Sequence, residues 1–231
     1  MSGKHARNLL VWLHVVTSVA WFSQALALLA LLLTGMSASS TEVQHSAYSM
    51  AQVLDKEVLM HMANAAIFSG LMLSALTPWG YFQYWWVLTK FVITITQLYV
   101  AIFLLSPTLD AMAEAAAQGE ADSPQFLIIG TIVMASAIAF QAWLSVAKPW
   151  KRTPWSEPTG RPKRLPTGSS WMFLFCVCVP LFDYLHGKYV LGFPLPLMTL
   201  LTAIGYPFWR AHVIRQQAND RTVLQTTTTS R

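Results

Sequence analysis

Charge is what this chain has least of. Only 11% of its 231 residues are Asp, Glu, Lys or Arg, where soluble chains carry about 25%, and 55% are hydrophobic. That balance argues against a soluble globular domain and for one built in lipid. Cysteine is scarce too. The two present, Cys176 and Cys178, stand two apart in an apolar run, and on a helix of ~3.6 residues per turn they point about 200° from each other. A mutual disulfide or a shared zinc site is thereby excluded. The sequence also has no HExxH, no Gly-rich phosphate loop, and no Ser, His and Asp at one membrane depth. Every segment between the apolar runs is short, so no separate catalytic domain fits and any chemistry must lie inside the bundle.

What is present is a series of long apolar runs. A hydrocarbon core of ~30 Å needs about 20 helical residues at ~1.5 Å each, and six runs are candidates: residues 8–33, 58–79, 84–105, 126–147, 169–185 and 189–209. The sequence therefore predicts an all-α, polytopic transmembrane helix bundle of six spans. It divides into a four-helix transmembrane bundle over residues 1–150, a basic, proline-rich linker over 151–168, a C-terminal transmembrane hairpin over 169–209, and a tail over 210–231 with no apolar pattern, expected to be disordered. The fifth run is the shortest and the sixth carries Pro194 and Pro196, which leaves a kinked or re-entrant hairpin open. The first run follows Lys4 and Arg7 like a secretory signal. It is far longer than the ~7–15 apolar residues of a signal peptide, so an uncleaved anchor is expected.

Charge sign orients the spans. If the amino terminus is cytoplasmic, the inner side collects Lys4, Arg7 and the basic residues of 148–164 and 210–231, while the outer side keeps Lys56 and Lys188. Acidic residues fall the other way, with Glu42, Asp55, Glu57, Asp110, Glu114, Glu120 and Asp122 outside. The positive-inside bias then places both termini in the cytoplasm. The net charge of +5 needs no nucleic-acid partner, because its excess lies beside the membrane. The loop 148–164 is expected to hug the surface and attract anionic lipid. Outside, residues 42–57 read as an amphipathic surface helix with Val43, Ala47, Met50 and Leu54 on its apolar face, and Thr108 to Gly119 as a second, acidic and alanine-rich one.

Four stretches resemble a known family. Leu13-His14-Val15-Val16-Thr17-Ser18-Val19-Ala20-Trp21, Thr77-Pro78-Trp79-Gly80, Tyr84-Trp85-Trp86-Val87-Leu88-Thr89-Lys90 and Lys148-Pro149 are similar to an uncharacterised actinobacterial four-helix integral membrane protein family, distantly like copper-resistance-D-type membrane proteins. The resemblance covers about residues 8–150. It departs after Trp21, where Phe22, Ser23 and Gln24 stand in place of an apolar residue and a glycine. The resemblance implies a four-helix bundle and no established activity; wider relatives that bind b-type haem or are tied to copper supply an alternative reading only.

Ionisable residues inside a span are functional candidates by default. His14, near the inner end of the first span, is either a haem ligand or a neutral imidazole bonded to a neighbouring helix, with Gln141 at similar depth as its partner. Met60, His61 and Met62 have the soft chemistry of a Cu(I) site, yet consecutive helical residues lie ~100° apart and cannot converge on one ion. His61 could instead pair with His186 or His45 around haem or copper. Asp183 precedes His186 by three residues and is expected in an ion pair with His186 or Lys188, with a proton or cation site as the alternative. Lys90 opens an apolar helix with no further charge until Asp110; its stem should reach back to the cytoplasmic interface, where Trp85 and Trp86 form an aromatic belt. His14, Lys90 and Gln141 together are the inner cluster to watch.

These readings favour a multi-pass cell-membrane protein without an evident catalytic site, acting as a structural or partner-binding subunit, alone or as an oligomer. The alternatives are a b-type haem or copper redox protein and a small-molecule or ion permease.

Overall fold

The computed structural model describes residues 3–77, 79–156, 169–191, 196–210 and 212–213. Pro78, Arg161, Lys163 and Arg164 of the linker, Pro194, and the tail beyond residue 213 lie outside the described residues, and with them the expectations placed there. The chain divides into two units, Met1–Val177 and Cys178–Arg231.

The first unit is helical throughout its long elements. Helix α1 covers Gly3–Met36, α2 Thr41–Leu54, α3 Met60–Leu76, α4 Trp85–Val100, α5 Ser106–Ala117 and α6 Gln125–Ala147. Ser40 starts α2 as an N-cap, its hydroxyl accepting the Val43 N–H, which is what a serine at that position does best. Two single π-helical turns, Asp55–Leu59 and Ala101–Leu105, join α2 to α3 and α4 to α5 without a break. The expected surface helices are therefore continuations of the spans. Nothing in either stretch ends a helix: neither Gly nor Pro occurs in residues 41–69, and Pro107 sits in the first turn of α5, where its missing N–H costs little.

Among the described residues, five helices are long and apolar enough to cross a membrane: Lys4–Met36, Thr41–Leu76, Trp85–Ala117, Gln125–Ala147 and Ser170–Leu191. At ~1.5 Å per residue the first three are ~50 Å long, about 20 Å more than a hydrocarbon core. The surplus is α2, α5 and the end of α1, which share a core with the start of α6: Leu32, Tyr48, Ala51, Leu109, Ala113, Ala116 and Leu127 are all buried there. Alanines let the backbones approach, as small residues do between membrane helices. Gly35 does the same under Tyr48, whose ring lies where a Cβ would project. The buried face of α2 is Ala47, Tyr48 and Ala51, while Val43, Met50 and Val53 are exposed. The apolar face expected from spacing is thus split: Ala47 is packed, while Val43 and Met50 are exposed.

In the second unit α7, Ser170–His186, which begins in the first unit, runs on through a π turn at Gly187–Leu191. The expected turn at residues 186–188 is corrected by this: His186 and Lys188 are helical, and the helix reaches Leu191. Residues 197–210 form a last helical run of ~20 Å.

Candidate functional site

On α4, Lys90, Thr94 and Gln97 recur at spacings of four and three, so they share one helix face. On α6, Gln141 and Ser145 are one turn apart. The two faces meet. Lys90 Nζ donates to Ser145 Oγ at 2.6 Å, and that hydroxyl donates in turn to the Gln141 carbonyl at 3.0 Å. Thr94 Oγ1 donates to Gln141 Oε1 at 3.0 Å, and Gln141 Nε2 donates to Gln97 Oε1. Gln97 Nε2 closes the series on the Met134 carbonyl at 3.2 Å. Both glutamines are buried, and each uses its oxygen and its nitrogen, so neither amide pays the full desolvation cost of an unmade bond. Counting ~1.5 Å per residue back from Ala147, the ladder runs from ~3 Å inside the end of α6 at Ser145 to ~20 Å at Met134.

The Lys90 ammonium is thus engaged between two helices, and the Ser145 hydroxyl that accepts from it stands near the same end of the bundle toward which its stem is expected to reach. Gln141 likewise bonds to Thr94 and Gln97; the partner expected for it, His14, is held elsewhere. His14 Nδ1 stands 3.0 Å from the Ala66 carbonyl and 3.1 Å from Ser69 Oγ, both on α3. A carbonyl can only accept, so Nδ1 carries the proton and Nε2 the lone pair. Ser69 donates to the Ala65 carbonyl at 2.6 Å, leaving its oxygen to accept. The imidazole lies against Gly70, where a Cβ would meet Cε1 at 2.8 Å.

A third polar group joins α2 and the first π turn to α5. Lys56 Nζ pairs with Asp110 Oδ2 at 2.8 Å and donates to Ser106 Oγ at 3.1 Å. Ser106 donates to Asp55 Oδ2 at 2.8 Å, and Gln52 Nε2 to Asp110 Oδ1 at 3.0 Å. Both π turns adjoin this cluster, since Asp55 and Lys56 belong to one and Ser106 follows the other.

Met60, His61 and Met62 open α3, and Met62 packs against the Trp21, Ala66 and Ile138 cluster. Among the described residues, no group of three or more His, Cys, Asp or Glu stands close enough to hold one metal ion. His186, in the second unit, stacks on Phe182 with ring centroids 5.6 Å apart. Asp183 is a helix cap: its carboxylate accepts the N–H of Met198 at 3.0 Å and of Thr199 at 2.7 Å, satisfying two donors at the start of the 197–210 helix. Of the cysteines, Cys176 is buried and Cys178 exposed, as opposite helix faces require.

Thr94, Gln97, Ser145 and Ser69 were not singled out from sequence. For the first two the signal existed, as uncharged polar residues one and two turns beyond Lys90 in an otherwise apolar helix. No family model matches the chain, and no curated protein or solved structure matches it. Fold and site together define a class: an all-helical protein with, among the described residues, five helices long and apolar enough to cross a membrane, joined in its first unit by polar side-chain bonds between helices.

Proposed function

We propose that this is a multi-pass protein of the cell membrane with a structural or partner-binding role and no catalytic centre of its own, threaded as six spans with both termini in the cytoplasm. The observation that carries this reading is the use made of the polar side chains within the helices. Lys90, Thr94, Gln97, Gln141 and Ser145 bond α4 to α6, and His14 bonds α1 to α3. Interhelical hydrogen bonds of this kind hold membrane helices together where the hydrophobic effect no longer acts between them. Apolar side chains such as Trp12, Val15, Val19 and Val92 are exposed on α1 and α4, available to lipid, to a second copy or to a partner's helices.

A redox protein of the kind the family resemblance raises is the alternative, and one observation favours it. With Nδ1 of His14 held on a carbonyl, Nε2 has the tautomer and orientation a metal-ligating histidine usually gets from such a bond. Among the described residues, no grouping of three or more His, Cys, Asp and Glu supports a copper site of that kind. A visible spectrum of the purified protein separates the readings. The structural reading expects no Soret band, no uptake of added haemin and no bound copper; a band that disappears in His14→Ala would overturn it.

A further inference from the structure

Beyond α6 the chain does not leave as a loose linker. Lys148 ends the helix in the left-handed region at φ 44°, and the backbone then crosses the start of α4. Tyr84 and Arg152 form an antiparallel bridge. The Trp85 N–H donates to the Lys151 carbonyl at 3.4 Å and the Thr153 N–H to the Gln83 carbonyl at 3.0 Å. Thr153 is fully buried, its hydroxyl donating to the Phe82 carbonyl at 2.6 Å. Lys148, Lys151 and Arg152 are thereby held at one end of the bundle. Lys148 lies over the Trp79 ring at 5.1 Å and Arg152 over the Tyr84 ring at 5.5 Å, and the indoles of Trp79, Trp85 and Trp150 are exposed beside them. The sequence has no Asp or Glu between residues 79 and 109 or between 123 and 156, so these two segments bring no carboxylate to the rim.

We propose that this rim is a docking surface for the headgroups of anionic phospholipids. Exposed indoles occupy the interfacial depth of a bilayer, and cations fixed at that depth meet lipid phosphates without the ordering cost of a flexible tail. A basic residue near an anionic membrane surface favours it by an amount equivalent to about fivefold in partition.

The test uses the full-length protein in nanodiscs of equimolar phosphatidylglycerol and phosphatidylcholine, with retained lipids counted by native mass spectrometry after release. Phosphatidylglycerol should be retained over phosphatidylcholine by about tenfold or more, since two or three such cations act together. Lys151→Gln, which leaves the backbone bond to Trp85 in place, should lower that preference about fivefold. The combination Lys148→Asn, Lys151→Gln and Arg152→Gln should abolish it, Asn being a residue that tolerates left-handed φ. Millimolar inorganic phosphate should displace none of the lipid. Equal retention of both lipids by the native chain, an unchanged preference in Lys151→Gln, or displacement by phosphate alone would each overturn the proposal.

Discussion

Lys90 carries a charge into an apolar helix, and its surroundings say what that charge is for. Its ammonium is 2.6 Å from the Ser145 hydroxyl, and Ser145 also bonds to the Gln141 carbonyl, so removing the lysine leaves the serine with a partner. We expect Lys90→Met to destabilise the protein by ~0.6 kcal/mol, with ~1.7 kcal/mol as the upper range for bonds between membrane helices. Lys90→Arg, which keeps a donor, should fold and function as the native chain does. Unfolding of the purified protein in bicelles gives both values. Abolished function in a well-folded Lys90→Arg protein would mean that the ammonium itself acts in transport or chemistry. Gly70 makes a sharper case. Any side chain there enters the volume of the His14 ring, so Gly70→Ala should cost about 1–3 kcal/mol as an overpacked core does. Combined with His14→Ala it should cost less than the sum, because the ring that clashes is gone. Strict additivity of the two changes would contradict the contact.

Among the elements, the helix of residues 197–210 depends on a residue outside itself. Asp183 accepts two of its first N–H groups, and loss of a capping side chain costs about 0.5–2 kcal/mol. Asp183→Ala should speed amide exchange at Met198 and Thr199 and leave exchange in α6 unchanged; equal protection in both proteins would remove the cap from consideration. This cap was not legible in the sequence, where Asp183 stands beside His186 and Lys188 and reads as their ion partner. The N–H groups it caps lie fifteen and sixteen residues on, and tertiary folding alone brings them close. The long helices were legible, because apolar length is a local property. Continuity through the π turns was not, since an extra residue in a turn leaves no mark on composition. Spacing was right about part of α2: it put Ala47 on the packed face, but with Val43 and Met50, whereas the residues packed beside it are Tyr48 and Ala51. The inner cluster was half legible. Lys90 and Gln141 do share one network, and His14 lies within electrostatic reach of Lys90 while its hydrogen bonds go to α3; Gln97 carries no charge to mark it.

At the scale of the whole molecule, two features work together: apolar helices that could cross a bilayer, and polar bonds that fix how those of the first unit pack. The threading expected from charge sign predicts that cysteines introduced singly at Thr159 and Asn219, in a background with Cys176 and Cys178 replaced by serine, resist an impermeant thiol reagent in intact cells. One at Gln118 should react. Labelling at position 159 from outside would reverse the orientation. The most direct measurement of the structural reading is a double-mutant cycle on Gln97 and Gln141, using Gln97→Leu, Gln141→Leu and both together, with unfolding free energies of the reconstituted protein. Each single change leaves one polar atom of the other buried amide without its partner, Nε2 of Gln141 or Oε1 of Gln97, and should cost about 1–3 kcal/mol. The double change should cost less than the sum by ~0.6 kcal/mol or more, with spectrum and copper content unchanged throughout. A coupling of zero, or single variants as stable as the native chain, would contradict the claim that these side chains hold the helices together.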